Sequence, residues 1–371
     1  MKNTFISKAK QYVPVPVMVL IALALICGIL HAGFIISTDF ADAFDGTVSM
    51  AVRFLMAHLT AWIPFSLAEA IVILAPFVGA FVIYVFVKNG DDSWKGVCRF
   101  VTSVMAVMLV IYILFVLMFA AGYRGSELKH KMGLDVEKLS ADDIAGTLEY
   151  VIGELNSLSD KVDYDIRGAS VMPYSLAELN GKLMDAYTAV SGDYPFVARL
   201  TSRFKPIVLS GIMTYTHISG VYSFFTGESN VNTNYPDYIV AFSAAHELAH
   251  QRGIARENEA NFIAYLVCTA SDDDFLRYSG YLNMYEYLSS AMLKASKEKY
   301  TAVAAKLGKK VRSDLRAYSE FFKKYEHSVA SEVSGKVNDT YLKVQGTAGT
   351  ASYGMVVDYA VAYHKDKGDA K

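Results

Sequence analysis

The residues best suited to chemistry form the segment His246-Glu247-Leu248-Ala249-His250, an HExxH pattern in a stretch whose apolar spacing predicts a helix. Histidines four positions apart lie on one helical face, so both rings can reach a single zinc ion. Glu247 points beside that ion, where its carboxylate can take a proton from a zinc-activated water and pass it to a leaving amine. The segment therefore predicts peptide-bond hydrolysis, with His246 and His250 as metal ligands and Glu247 as general base.

A third ligand is expected from the helix that follows. Gly253 allows the chain to reverse, so that the run RENEAN at residues 256–261 returns alongside the metal. Its two carboxylates lie about 200° apart on a helical wheel, so only one of them faces the ion. Glu257 is favoured, because Asn261 shares its face and can hydrogen-bond a ligating histidine. Glu259 is the alternative ligand, and otherwise a supporting side chain.

Hydrolysis also requires a donor for the oxyanion that forms when water attacks a carbonyl. A tyrosine, histidine or arginine near the metal can supply it. The candidates in the C-terminal part of the chain are Tyr278, Tyr341, Tyr353 and His217.

A short strand is predicted upstream of the HExxH helix. The β-branched and aromatic run from Gly220 to Thr226 favours extended structure, and the polar residues after it indicate a turn. In the gluzincin zinc peptidases, which the HExxH segment resembles, a strand at the edge of the cleft holds an extended peptide by backbone pairing, and the resemblance implies this role for the present strand, with Tyr222 and Phe224. An ordinary core strand is the alternative. The predicted turn contains Glu228, Asn230 and Asn232.

The elements that carry these residues follow a strongly apolar N-terminal third. The chain has 371 residues, of which 53% are hydrophobic and 19% charged, and its mean hydropathy is +0.26. Apolar stretches at about residues 13–36, 62–87 and 101–121 are each long enough to cross a hydrocarbon core of about 30 Å. They predict three transmembrane helices in a membrane anchor over residues 1–122. The remaining residues, 123–371, form a second, mostly helical domain.

Positive charges in the short flanks predict the orientation of the anchor. Lysines precede the first span and basic residues join the second to the third, whereas the loop between the first and second spans carries only Arg53. The positive-inside rule places the N-terminus in the cytoplasm and the C-terminal domain outside it, at the plasma (inner) membrane. Glu69, in the second span, is predicted to be an interfacial or helix-pairing carboxylate, with an ion path as the alternative. The flanking basic residues are Lys2, Lys8, Lys10, Lys88, Lys95 and Arg99.

The composition excludes several classes of protein. Lys+Arg 35 against Asp+Glu 37 gives a net charge of -2, so no general basic field exists for nucleic acid. Of the three cysteines, only Cys268 lies in the C-terminal domain, which excludes a disulfide within it and a thiolate zinc site. The expected partners are the lipid bilayer and a peptide or protein substrate, and the oligomeric state stays open.

These motifs resemble the gluzincin zinc peptidases, in which HExxH is completed by a glutamate from a later helix. Over about residues 10 to 365, the runs SGVYSFFTGESNVN, HELAHQRGIARENEANFIAYL, YSGYL and VNDTYLK also resemble a bacterial family of three-span membrane proteins with a domain of unknown function. The resemblance implies a membrane-anchored zinc metallopeptidase with a zincin-like, mainly α-helical outer domain and a short edge strand or small sheet. The sequence departs from gluzincins in the short gap between His250 and Glu257, and in having Asn261 where several members have Asp.

Two other functions remain open. In the first, the protein is a zinc-binding sensor or partner-binding membrane protein that hydrolyses nothing; Glu247 disfavours it, because a structural zinc site needs no adjacent base. In the second, the spans themselves do the work, as a transporter subunit or scaffold. The scarcity of ionisable residues within the spans disfavours this function.

Overall fold

The structure is a computed structural model that describes residues 10–89, 93–136 and 140–369. The described chain is mainly helical, with two small sheets. Two short π-helical segments, Asp45–Ser49 and Val116–Ala120, interrupt the helices of the N-terminal part. The helices of this part are α1 (Val15–Ile36), α2 (Thr38–Phe44), α3 (Met50–Ala61), α4 (Leu67–Asn89), α5 (Trp94–Phe115), α6 (Ala121–Arg124) and α7 (Leu128–Met132).

The C-terminal part contains ten helices and five strands among its described residues. Its helices are α8 (Ala141–Leu158), α9 (Leu176–Asp193), α10 (Ser210–Met213), α11 (Asp237–Gln251), α12 (Glu257–Thr269), α13 (Asp274–Ala295), α14 (Lys297–Ala304), α15 (Lys309–Phe322), α16 (Val329–Val344) and α17 (Val356–Lys367). Its strands are β1 (Asp163–Tyr164), β2 (Ser170–Val171), β3 (Lys205–Pro206), β4 (Gly220–Ser223) and β5 (Glu228–Val231).

Among the described residues, three helices are long and apolar enough to cross a membrane: Val15–Ile36, Leu67–Lys88 and Trp94–Arg124. The three predicted spans are therefore present as helices, with different bounds. The second begins at Leu67 rather than Trp62, since a proline at position 64 disfavours helical backbone in the residue before it. The third begins earlier than predicted, because the side chain of Ser93 accepts a hydrogen bond from the backbone of the first turn.

The segment between the first two apolar helices is helical, whereas the sequence suggested a loop. Its Arg53 is buried and forms an ion pair with Asp45, with 2.7 Å between Nη1 and Oδ1. The same guanidinium donates to the carbonyl oxygen of Met118, in the third apolar helix, at 2.7 Å. Arg53 therefore joins the segment between the first two apolar helices to the third apolar helix.

A carboxylate in the sheet caps the second apolar helix. Glu228 of β5 accepts hydrogen bonds from the backbone N–H groups of Leu67 and Ala68, at 3.1 and 2.9 Å. It also pairs with Lys205 of β3, and both side chains are almost fully buried. A helix N-terminus carries unsatisfied N–H groups and a partial positive charge, so a carboxylate there is stabilising. We call Glu228, Lys205 and the first turn of α4 the anchor clamp.

Glu69, also in the first turn of α4, makes a further contact with the C-terminal part of the chain, next to the anchor clamp. Its carboxylate accepts from the backbone N–H groups of Val208 and Leu209, at 2.9 and 2.8 Å. Glu69 therefore binds the loop after β3, rather than another apolar helix.

The core of the C-terminal part lies between α8, α11, α12 and α13. Nearly all of α11 and α12 is buried, including the apolar residues between the two histidines. A capping box begins α9: Ser175 accepts from the backbone of Glu178, whose carboxylate accepts from the backbone N–H of Ser175. The two helices that carry the HExxH and RENEAN segments are thus fixed by the core.

The larger sheet has the strand order β3-β5-β4, with β3 parallel and β4 antiparallel to β5. The predicted strand from Gly220 to Thr226 ends at Ser223, and the turn follows it immediately. The polar residues that the sequence placed in a turn lie instead on and just after the central strand. The Glu228 carboxylate and the side-chain amides of both asparagines find partners there; for example, the Asn232 Nδ2 donates to the Ile218 carbonyl at 3.0 Å. The residues in question are Glu228, Asn230 and Asn232.

A largely buried carboxyl in α13, that of Glu286, makes stability depend on pH. Burial raises the pKa of Glu286 to about 7, although a hydrogen bond from Tyr238 opposes the shift. The folded protein therefore binds this proton more tightly than the unfolded chain, and stability falls as the pH rises from the unfolded carboxyl pKa through about 7. We expect Glu286→Gln to raise the free energy of unfolding by about 2 kcal/mol above pH 7. This difference between variant and wild type should disappear at acidic pH.

Thermal unfolding in detergent at several pH values measures this difference. Glu320→Gln, at an exposed position of α15, is the control. A stabilisation by Glu286→Gln that is the same at all pH values would contradict a raised pKa of Glu286 as its cause.

Candidate metal centre

The structure brings His246, His250 and Glu257 together. One ligand atom from each lies within 4.8 Å of the other two. Oε2 of Glu257 is 3.2 Å from Nε2 of His246 and 3.5 Å from Nε2 of His250. The histidines lie one turn apart on α11, and Glu257 is the first residue of α12. The short turn between these helices, with Gly253 at φ 98°, folds α12 back onto the histidines.

Hydrogen bonding of His250 leaves one ring nitrogen free for a metal. Its Nδ1 lies 2.7 Å from the carbonyl oxygen of Ile254, an acceptor, so Nδ1 carries the proton in the neutral ring. Nε2, which faces Glu257, then has a free lone pair. A backbone carbonyl that fixes the tautomer in this way is common in metal sites. Burial lowers the pKa of His250, but the Glu257 carboxylate outweighs burial and raises the pKa to about 9.

Glu259 lies away from the histidines. Its Oε1 accepts from the backbone N–H of Leu128 at 2.8 Å and from the Arg256 guanidinium at 3.1 Å. It therefore caps α7, whereas Glu257 faces the cluster. The two histidines lower the pKa of Glu257 well below its usual range, against the opposing effect of burial.

Glu247 is buried beside the cluster. Burial raises the pKa of Glu247 to about 7, although His246 and His250 oppose the shift. Its Oε2 has no hydrogen-bond partner among the described residues. A carboxylate with a pKa near neutrality, adjacent to a metal-ligand cluster, has the properties of a general base.

Strand β4 is an edge strand of the larger sheet and lies beside Glu247. The N–H of Asn232 donates to the carbonyl of Ser219 at 2.9 Å, which fixes the alternation of the antiparallel ladder. The backbone groups of Gly220 and Tyr222 then point away from β5. The N–H of Tyr222 faces the Glu247 carboxylate. The side chains of Tyr222 and Phe224, by contrast, pack on the third apolar helix, against Phe119 and Phe115.

Two of the four predicted oxyanion donors lie near the cluster. Burial and the charge of Glu257 raise the pKa of Tyr341 to about 12, and the same two causes raise the pKa of Tyr353. The other two are engaged elsewhere. Tyr278 donates to Asp314 at 3.0 Å, and His217 Nε2 lies 2.7 Å from the carbonyl of Tyr325.

Asn261 is buried on α12 one turn after Glu257, but it makes no hydrogen bond to either histidine. Its Nδ2 and the Nδ1 of His246 both lack partners among the described residues. The predicted supporting hydrogen bond is therefore absent from this arrangement.

Sequence reasoning missed two tyrosines and one phenylalanine around the cluster. Tyr287 of α13 lies close enough that Glu257, after burial and Glu286, raises its pKa. Tyr123 packs against Tyr341, with ring centroids 6.1 Å apart. Phe119 packs edge-on against the His250 ring at 5.8 Å. Only the tertiary fold brings these residues to the cluster, and no local motif marks them.

The residues present fit a zinc ion. Two imidazole nitrogens and one carboxylate oxygen are the protein ligands of a common class of catalytic zinc site. The tautomer of His250 and the closeness of the three ligand atoms suit that role. Softer metals that prefer thiolates are disfavoured, since the cluster contains no cysteine.

Gly220 is expected to be essential for the position of Glu247. A Cβ at residue 220 would lie 2.6 Å from both Cγ and Oε1 of Glu247, so Gly220→Ala displaces the carboxylate. We expect metal content to be retained, because the three candidate ligands are untouched, and any reaction that depends on Glu247 to slow at least about tenfold, because small displacements of catalytic groups are costly. Gly211→Ala is the control, since a Cβ there meets no atom within 4 Å. Full activity of Gly220→Ala would mean that the observed position of Glu247 is not required.

The fold and the cluster define a helical, membrane-associated protein with a largely buried histidine–glutamate cluster next to its apolar helices. The chain belongs to the family described as "Protein of unknown function (DUF3810)", whose model matches residues 46–361. The matched region includes the second and third apolar helices and the whole cluster. No curated protein and no solved structure matches the chain.

Proposed function

We propose that the protein is a membrane-anchored zinc metallopeptidase. His246, His250 and Glu257 bind the metal, and Glu247 is the general base. The observation that carries this proposal is the position of Glu247: a buried carboxylate of raised pKa lies between the three candidate ligands and the edge strand β4.

Each part of the site has a defined role in this reaction. A zinc ion held by His246, His250 and Glu257 would supply Lewis acidity, polarising the scissile carbonyl and lowering the pKa of a water molecule. Glu247 takes the proton of the attacking water and delivers it to the leaving amine. The edge of β4 holds the substrate in extended form through the outward-facing backbone groups of Gly220 and the carbonyl of Tyr222. Tyr341 and Tyr353 are the candidate donors to the oxyanion.

We also propose the orientation that the basic flanks predict. The N-terminus lies in the cytoplasm and the candidate metal centre on the outer side of the plasma membrane. Reaction of single cysteines in the C-terminal part with an impermeant thiol reagent on intact cells tests this orientation.

Metal removal tests the peptidase activity. Purified full-length protein is expected to contain one zinc ion per chain and to cleave members of a mixed peptide library. The chelator 1,10-phenanthroline should abolish cleavage, and added zinc should restore it, because the reaction depends on the metal. Cleavage that persists in the metal-free protein would contradict the proposal, and so would a zinc-loaded protein that cuts no peptide.

A further inference from the structure

The candidate metal centre is attached directly to the end of the third apolar helix. Arg256, in the turn between the two ligand helices, donates to the carbonyl oxygens of Tyr123 and Gly125, at 3.0 and 2.8 Å. Phe119 lies within the apolar span and packs against the His250 ring. The metal ligands are therefore close to the level at which this helix leaves the bilayer.

The strand edge beside Glu247 lies at the same level. The ring of Tyr222 packs on Phe119 with 5.4 Å between centroids, and Phe224 packs on Phe115 at 5.5 Å. Phe115 and Phe119 are one helical turn apart in the third apolar helix. A peptide paired with β4 thus runs along the membrane boundary rather than far out in solvent.

An exposed apolar face on α16 ends at the same part of the third apolar helix. Its valines recur every four residues, so they lie on one side of the helix, and Tyr341 continues the series. Tyr341 in turn packs against Phe115 and Tyr123, at 6.4 and 6.1 Å. The exposed members of this valine face are Val329, Val333 and Val337.

A second group of exposed apolar residues begins in the loop that Glu69 binds, next to the start of the second apolar helix. It continues in α10 and in strand β4. Apolar side chains that remain exposed next to membrane helices are stabilised by lipid or by an apolar ligand. The members of this group are Val208, Leu209, Ile212 and Val221.

We propose that the substrates are membrane-bound polypeptides, cut close to the point at which they leave the bilayer. This inference rests on the proposed peptidase function and adds a substrate class to it. The segment that leaves the membrane pairs with β4 in extended form, while its apolar side chains contact the valine face of α16. Because an extended residue spans about 3.3 Å, a cut within about ten residues of the bilayer keeps the scissile bond at this level.

Three quenched fluorescent probes in vesicles of phosphatidylethanolamine and phosphatidylglycerol test the substrate class. Each probe carries the same randomised segment of about ten residues. In the first, the segment joins a transmembrane Leu/Ala helix of about 20 residues directly. In the second, a flexible Gly/Ser spacer of about 40 residues separates the two. The third has no helix and is soluble.

We expect the reconstituted full-length protein to cut the directly joined probe at least about tenfold faster than the spacer probe at equal membrane density. Both probes are confined to the membrane, so the difference reports distance from the bilayer. Equal rates for these two probes, or a preference for the soluble probe, would overturn the inference and leave the peptidase function standing. Failure to cut any probe would instead overturn the peptidase function itself.

The valine face supplies an independent variant. Val333→Asp combined with Val337→Asp is expected to bring the rate ratio of the two membrane probes close to one, with no loss of bound zinc. Both valines are exposed, so the substitutions spare the core. Gly335→Asp is the matched control, since its position has open space and lies on another side of α16. An unchanged ratio in the valine variant would exclude this face from substrate binding.

Discussion

Replacing Glu247 by Gln is expected to leave the zinc in place and to reduce peptide cleavage by roughly three orders of magnitude. Gln has nearly the same shape as Glu, so the burial of residue 247 and the packing beside Gly220 persist. It cannot accept a proton from water, however, and the step that generates the nucleophile loses its base. The rate of cleavage and the zinc content of wild type and variant, measured on the same preparations, provide the test.

The outcome of this substitution also separates the peptidase from a zinc-binding sensor. A sensor or partner-binding protein uses the ligands alone, so Glu247→Gln would leave its binding behaviour unaltered. Undiminished cleavage by the variant would show that another group activates the water, and would remove Glu247 from the mechanism.

Removing Glu257 is expected to have the largest effect on metal content. In Glu257→Ala, two histidines remain as ligands, and zinc affinity should fall by more than the roughly 10–100-fold that loss of a supporting contact costs. Zinc per chain, measured by mass spectrometry after dialysis against a weak chelator, should approach zero. Cleavage should disappear in parallel.

Glu259→Ala is the matched control, because this carboxylate lies two positions away and is also buried. It should retain zinc but lower the free energy of unfolding by about 2 kcal/mol, since the Leu128 N–H and the Arg256 guanidinium lose an acceptor. Loss of zinc from Glu259→Ala, with zinc retained by Glu257→Ala, would reverse the assignment of the two carboxylates.

Local spacing explains why much of the metal cluster could be predicted from sequence. His246, His250 and Glu257 lie within twelve consecutive residues, and helix periodicity together with one turn at Gly253 fixes their relative positions. Helix periodicity also favoured Glu257 over Glu259 as the third ligand, and the structure brings only Glu257 to the histidines. The three apolar helices were predictable for a similar reason, because length and hydropathy are local properties.

Residues whose surroundings depend on distant parts of the chain could not be predicted. Glu228 and Asn232 have low strand propensity, yet they lie on and beside a central strand because Lys205, the start of α4 and the loop before β4 satisfy their polar groups. Tyr123 and Tyr287 reach the cluster from helices far apart in sequence. The sequence placed Arg53 in a loop, whereas its side chain is buried. One of its partners is the carbonyl of Met118, 65 positions away, which no local pattern indicates.

The anchor clamp has a consequence for the order of events during biosynthesis. Leu67 and Ala68 are separated from Glu228 by 161 and 160 positions, and Glu69 is separated from Val208 by 139. The second apolar helix is therefore translated and inserted long before the carboxylate that caps it exists. Contacts between such distant positions form late and slow folding. The sheet edge beside Glu247 thus reaches its final position only after the anchor and most of the C-terminal part are in place, so the nascent chain lacks a complete site.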